Sequence, residues 1–310
     1  MPGTRGGKTI GSEDAVRMSF DWFEYARVGG SRLLWTEDWM PDSASWRWSY
    51  YSARLRNAVA LSKDETMEFS GYIVPRSSGA REGGLLQRIL AMIGGGAKGL
   101  RYFIFGPEYT FPINCYTENA NFSRLVSEMA LGHSMVAQAE EVLFRARHRS
   151  AEIAILMPRS SEIWDLFNYS LSNTSGYMYE CCVTSSMLAF AADYNAEVFG
   201  LFTALAVDEN LPVDIIDEDA LLENEVLEQY RAIWLTQPNI PRAGLANVRE
   251  WAAAGGTLIT VSNAATADEY NVPSAQLGLP RSARDRWYTL RCIQVKAGRL
   301  RVSESDWIPH

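Results

Sequence analysis

Apolar runs of strand length alternate with helix-length stretches along most of this chain. Residues 19–28 predict a helix and 32–35 a strand. A long helix follows over 44–61, carrying Trp46, Trp48, Tyr50 and Tyr51, and then a strand over 67–74. Residues 82–93 predict a third helix, 100–105 a third strand and 120–144 a last helix, after a long loop that starts at Gly106-Pro107. These strands are almost wholly apolar, as parallel strands covered on both faces are. Polar and aromatic residues gather where each strand ends. The strand–helix repeat is that of a parallel α/β arrangement.

A second repeat begins near residue 152. Strands are expected at 153–157, 213–216, 232–235 and 257–261. Between them lie an amphipathic stretch over 179–195, further helical material over 199–208, a short helix over 221–228 and a helix over 243–254. This predicts a doubly wound domain of flavodoxin-like or class I amidotransferase-like type. From residue 277 the chain reads as loop and short strands, such as 287–295. Gly94-Gly95-Gly96 and Gly255-Gly256 each close a helix before a strand, so they read as helix terminators and not phosphate loops.

Composition changes this picture little. The chain has 310 residues, enough for two domains with real cores, and is 47% hydrophobic and 21% charged. A net charge of −8 argues against nucleic acid as a partner. The basic run Arg145, Arg147, His148 and Arg149 falls where a helix ends, and cations there complement the helix dipole. Ten tryptophans and 14 tyrosines fit either a large aromatic core or stacking faces for sugars. Four cysteines make no disulfide framework in so long a chain. Cys181 and Cys182 lack the glycine-flanked elbow and the nearby histidine of a nucleophile. The N-terminus has no apolar core of a signal peptide, and no run reaches the roughly 18 apolar residues of a membrane span. The expectation is a cytoplasmic protein with no membrane partner. No metal-ligand spacing or cofactor fingerprint occurs, so no metal or cofactor is expected.

One ordered series of motifs resembles a known family. Phe20-Asp-Trp-Phe-Glu-Tyr-Ala26, then Leu33-Leu-Trp-Thr-Glu-Asp-Trp-Met-Pro-Asp42, is similar to the sixth barrel strand of glycoside hydrolase family 42, the β-galactosidases. Residues 82–93, with Gly94-Gly-Gly-Ala-Lys-Gly-Leu-Arg-Tyr-Phe103, resemble that family's last barrel helix and eighth strand. Residues 152–271, with Tyr230–Leu235 and Glu250-Trp-Ala-Ala-Ala-Gly-Gly-Thr-Leu258, resemble its trimerisation domain. The resemblance implies a partial (β/α)8 barrel over 1–150, a trimerisation-type α/β domain over 151–275 and a tail over 276–310. It also implies a carbohydrate ligand and a homo-oligomer, a trimer in the family.

The departures matter as much as the matches. Members act with one glutamate after the fourth strand and another after the seventh. This chain begins near the sixth, and its seventh-strand segment, Phe69-Ser-Gly-Tyr-Ile-Val-Pro-Arg-Ser77, has no glutamate. Retaining hydrolysis needs two carboxyls about 5–5.5 Å apart. Glu37 is therefore the one catalytic candidate, equally readable as a sugar-contacting or a salt-bridged strand-end carboxylate. Trp35, Trp39, Arg76, Glu108, Tyr109 and Glu118 are candidate substrate contacts, and Arg76 is an alternative ion-pair partner for Glu37. Two functions stay open: a β-galactosidase-like hydrolase, incomplete and weakly or not active as this chain, or a non-catalytic sugar-binding or oligomerisation module.

Overall fold

A computed structural model describes residues 22–29, 32–38, 46–62, 68–73, 82–102, 124–157, 159–161, 163–164, 193–261, 264–273, 288–290, 294–296, 299–301 and 307–309. The chain divides into two compact units. One comprises residues 1–148 and 175–190, the other residues 149–174 and 191–310.

In the first unit α1 (Trp22–Arg27) leads to β1 (Leu33–Asp38), α2 (Trp46–Leu61), β2 (Glu68–Ile73), α3 (Gly84–Gly94) and β3 (Gly99–Tyr102). Two helices follow, α4 (Arg124–Gln138) and α5 (Glu140–Arg145). The three strands form one parallel sheet in the order β1-β2-β3, as expected from their apolar pattern. Phe69 and Ile73 of β2 pack on Leu85, Ile89 and Met92 of α3 and on Leu125 of α4. Gly71 lies between them, where a Cβ would come within 3.0 Å of Leu100 and 3.3 Å of Met92. Residues 69, 71 and 73 thus face the helices, and the alternating positions 70 and 72 face the other way.

The helix ends follow from local chemistry. Gly96 takes a φ of 110°, and the N–H groups of Gly96 and Ala97 return to Ile93 O and Met92 O, closing α3. At the other end of α3 the carboxylate of Glu128, on α4, accepts from the N–H groups of Gly83, Leu85 and Leu86 at 3.0, 3.0 and 3.2 Å. A neighbouring helix therefore supplies the cap that the local sequence lacks. The single helix expected over 120–144 is broken at Ala139, which leaves helical geometry at φ −119° and ψ 11°. Glu140 and Glu141 then open α5, where acidic groups complement the helix dipole. Lys98 caps its far end, donating to Leu143 O at 2.8 Å and Ala146 O at 2.7 Å. Burial, and then the charge of Arg147, hold the Lys98 pKa below its ordinary value, against a smaller opposing pull from Glu68. In the basic run, Arg147 reaches Phe144 O and Ala146 O only at 3.5 and 3.4 Å, while His148 lies against the guanidinium of Arg54 at 2.9 Å.

The second unit is built on β4 (Ile153–Leu156), β5 (Asp214–Ile216), β6 (Ala232–Leu235) and β7 (Thr257–Val261). All four are parallel and lie in one sheet, in the order β5-β4-β6-β7. Helix α6 (Asp193–Phe202), continued by a wider-wound turn over Thr203–Asp208, precedes β5. A short α7 (Asn224–Leu227) precedes β6, and α8 (Arg242–Ala253) joins β6 to β7. Leu156, Ile233, Leu235 and Leu258 pack with Leu221, Leu227 and Val248 on one side of the sheet. Ile155, Ile215 and Trp234 alternate with them and are also buried, which explains the unbroken apolar runs. Gly255, at φ 119°, ends α8 as its sequence position implies.

The last strands are β8 (Tyr288–Leu290), β9 (Gln294–Lys296), β10 (Arg299–Arg301) and β11 (Trp307–Pro309). The sequence set residues 276–310 apart as a tail. In the structure β8 extends the parallel sheet beside β7, and β11 lies antiparallel on β8.

Candidate functional site

The carboxyl ends of β1, β2 and β3 lie side by side, because the strands are parallel and adjacent. Glu37, Tyr72 and Arg101 are each the penultimate residue of their strand. The register aligns them: Glu37 pairs with Tyr72, and Tyr72 with Arg101. Strands about 4.8 Å apart put the Cα atoms of Glu37 and Arg101 about 10 Å from each other, the breadth of one sugar ring and its substituents. Trp35 stands in register with Ser70, and Ser70 with Gly99. Tyr72 is half-buried and Arg101 is exposed.

The face that holds Ser70, Tyr72, Gly99 and Arg101 differs from the one against α3. A Cβ on Gly99 would meet Ser70 Oγ at 3.2 Å, which puts both residues on the same side. One face of this sheet packs on the helices, and the other carries Ser70, Tyr72 and Arg101 in register with β1 positions that include Trp35 and Glu37. Sequence reading took β2 and β3 as apolar strands and singled out neither Tyr72 nor Arg101. The signal was the alternation Phe69-Ser-Gly-Tyr-Ile73, and it gains meaning only with the strand register. Of the sequence-predicted residues, the structure places Trp35 and Glu37 on β1. Trp39, Arg76, Glu108, Tyr109 and Glu118 lie outside the described residues, as do Cys181 and Cys182.

Tyr102 ends β3 on the helix-facing side. Its hydroxyl is 2.9 Å from His133 Nε2, and the rings meet edge to face. Burial pushes its pKa upward, so the hydroxyl stays protonated.

A second polar cluster occupies the carboxyl end of the other sheet. After β5, Glu218 is buried, with 2% of its surface exposed. Its carboxylate accepts from the Ser160 backbone N–H at 2.7 Å and lies 2.8 Å from the Ser160 hydroxyl. Burial raises its pKa to about 7, against the hydrogen bonds from Ser160 and the charge of Arg159, with the neighbouring Asp217 adding to the rise. Between the loops after β4 and β6, Asn239 N–H donates to Ser161 Oγ at 2.8 Å. Asn239 Nδ2 donates in turn to Asp268 O and Asn271 Oδ1. The Asp268 carboxylate accepts from Tyr270 and Val272 N–H groups and from Arg242, whose Nε is 2.6 Å away. Burial pushes the Asp268 pKa up, but these bonds and the Arg242 charge outweigh it and hold the carboxyl below its ordinary value. The cluster satisfies its own polar atoms and clasps the loops together. Among the described residues no group of three His, Cys, Asp or Glu side chains is placed to hold a metal ion. No helix among them is long and apolar enough to cross a membrane.

The fold has solved counterparts. It is similar to a catalytic mutant of Gan42B, a family 42 β-galactosidase from G. stearothermophilus, at TM-score 0.57 and 17% identity over 82% of this chain and 36% of that one. The β-galactosidase of Bacillus circulans sp. alkalophilus matches at TM-score 0.57 and 15% identity, over 82% of this chain and 35% of that one. A cold-adapted β-galactosidase from Rahnella sp. R3 matches at TM-score 0.57 and 13% identity, over 83% and 36%. The chain thus spans about a third of the length of these structures. At such identities the likeness is one of fold. No protein-family model and no curated protein sequence matches the chain.

Proposed function

We propose that the chain is the C-terminal part of a family 42-type glycoside hydrolase, serving carbohydrate metabolism. On this reading β1, β2 and β3 are the last strands of a (β/α)8 barrel. The second unit is a trimerisation-type domain, whose strand order β5-β4-β6-β7-β8 is the second-first-third-fourth-fifth order of flavodoxin-like folds. The observation that carries the reading is the sequential parallel sheet with Glu37 at its carboxyl end, where (β/α)8 enzymes keep their chemistry. Glu37 contacts the sugar, with Trp35 and Trp39 as stacking faces and Arg76, Glu108, Tyr109 and Glu118 as further contacts. The protein works in the cytoplasm, where its cysteines stay reduced, and assembles as a homotrimer.

One observation favours the non-catalytic alternative. The β2 residue in register with Glu37 is Tyr72, not a second acid. Hydrolysis with retention needs one carboxyl to protonate the leaving oxygen and another to attack the anomeric carbon. The chain by itself therefore binds sugar and turns it over negligibly.

The test is nitrophenol release from an aryl β-galactoside by the purified chain, beside calorimetric titration with galactose. The expected result is negligible release, with binding weakened by about 1–3 kcal/mol in Glu37→Gln. Robust turnover that Glu37→Gln abolishes would make Glu37 catalytic. Absence of any sugar binding would remove the carbohydrate reading altogether.

A further inference from the structure

We infer that Tyr72 and Arg101 are ligand-contacting residues, and that Arg101 selects a saccharide carrying an anionic group. The inference rests on the carbohydrate reading above and goes beyond it to the substrate class.

The face that bears these residues is the first support. In a parallel sheet covered by apolar layers on both sides, both sets of alternating positions are apolar. Here one set is: Phe69, Ile73, Leu100 and Tyr102 pack with the helices. The other set contains Ser70, Tyr72 and Arg101. Arg101 is the exposed member of that set, so its guanidinium is open to a ligand.

Position is the second. Arg101 and Tyr72 occupy the carboxyl ends of their strands in the same register row as Glu37. The row runs acid, aromatic, guanidinium. A sugar ring seated across it spans an acidic position on β1, a tyrosine on β2 and a cation about two strand spacings away, roughly 10 Å from Glu37 between Cα atoms. A guanidinium donates to neutral sugar hydroxyls too, but it gains more from an oxyanion, to which it offers a planar fork of N–H donors.

The third support is the state of Arg101 among the described residues. It is exposed, and no hydrogen bond or ion pair to it occurs among the described residues. The arginines at 54 and 56 are instead buried against His148 and Ser52 respectively. A carboxylate or a sulfate ester on the sugar presents the same oxyanion chemistry, and the probes separate the two.

The experiment is calorimetric titration of the full chain with galactose, galacturonate and galactose 6-sulfate, at low and at high salt. Wild-type protein is expected to bind at least one anionic probe about tenfold more tightly than galactose, the gain from one charge-assisted contact. That preference should shrink at high salt and disappear in Arg101→Gln. Arg101→Lys keeps the charge and loses the fork, so it should retain a sulfate preference better than a carboxylate one. Tyr72→Ala should weaken all three probes together. Arg101 is exposed, so its variants are expected to fold; melting curves check them and Tyr72→Ala, whose half-buried ring is removed. Equal affinity for all three probes, or a preference that survives Arg101→Gln, overturns the inference. If galactose binds and Glu37→Gln weakens it while no anionic preference exists, only this inference falls. If no probe binds, the carbohydrate reading falls with it.

Discussion

Glu218 and Ser160 are joined twice: the Ser160 N–H donates to one carboxylate oxygen at 2.7 Å, and its hydroxyl lies 2.8 Å from the other. The hydroxyl serves either protonation state, donating to a carboxylate or accepting from a carboxylic acid. Burial decides between them and lifts the pKa to about 7. The unfolded value is near 4.3, so folding takes up a proton between these limits. The stability this proton supplies is complete below the unfolded pKa and is lost as pH rises through about 7. The full span is about 4 kcal/mol, at about 1.4 kcal/mol per pH unit. Glu218→Gln keeps the shape and cannot ionise. It is expected to exceed wild type in stability by about 1–3 kcal/mol near pH 8 and to lose that advantage near pH 5. Urea unfolding at the two pH values checks this, and a gain independent of pH would contradict it.

Asp268 behaves in the opposite sense. Burial works against its charge, but Val272, Arg242 and Tyr270 hold the carboxyl below its ordinary pKa. A depressed acid contributes stability that is present above the unfolded pKa and is lost as pH falls through the lower folded one. Asp268→Asn is therefore expected to lower the thermal midpoint near neutral pH, with the difference from wild type narrowing in acid. The same substitution should loosen the loop bonded to Asn239, read as faster amide exchange at Tyr270 and Val272.

Glycines 94 and 95 make a paired test of helix contact. A Cβ on Gly95 would stand 2.4 Å from Ala53 Cβ on α2, whereas one on Gly94 meets nothing within 4 Å. Gly95→Ala is expected to cost about 1–3 kcal/mol through the forced separation of α2 and α3. Gly94→Ala should be neutral or gain about 0.5–1 kcal/mol, since alanine restricts the unfolded chain. Equal effects in denaturant titrations would mean that the two helices do not approach as closely as Gly95 implies.

Strands β1 to β7 were legible because buried parallel strands are written as apolar runs between turn residues. Helix ends with glycine were legible for the same local reason, as at Gly96 and Gly255. The break at Ala139 was not, because Ala137-Gln138-Ala139-Glu140 contains no residue that disfavours helix. Nor was the place of β8 in the parallel sheet, since three residues carry no period. Glu37 stood out as an acid ending an apolar run. Tyr72 and Arg101 did not, because their relation to Glu37 is one of register, which is tertiary. Asp217, Glu218 and Asp219 are three acids in a row, and nothing local distinguishes the buried Glu218 from its neighbours.

The cap on α3 is the clearest case of a distant residue completing local structure. Gly83 precedes the helix in a left-handed conformation, at φ 74°, and has no side chain with which to cap it. Glu128, 8% exposed, supplies the missing acceptor from α4 and takes three backbone N–H groups. Its negative charge also meets the positive end of the helix dipole. Glu128→Ala leaves those donors short of acceptors in a partly buried setting, and should cost about 2–3 kcal/mol. Glu128→Gln keeps one acceptor oxygen but turns an NH2 group toward the donors, so it should recover only part of the loss. Both α3 and α4 border the sheet that carries Tyr72 and Arg101, so a local effect is separable from a global one. Amide exchange should rise first at Leu85 and Leu86, with the far end of α3 at Gly95 and Gly96 staying protected until global unfolding. If Glu128→Ala matches wild type in urea and in exchange at Leu85, water caps the helix as well as the carboxylate does.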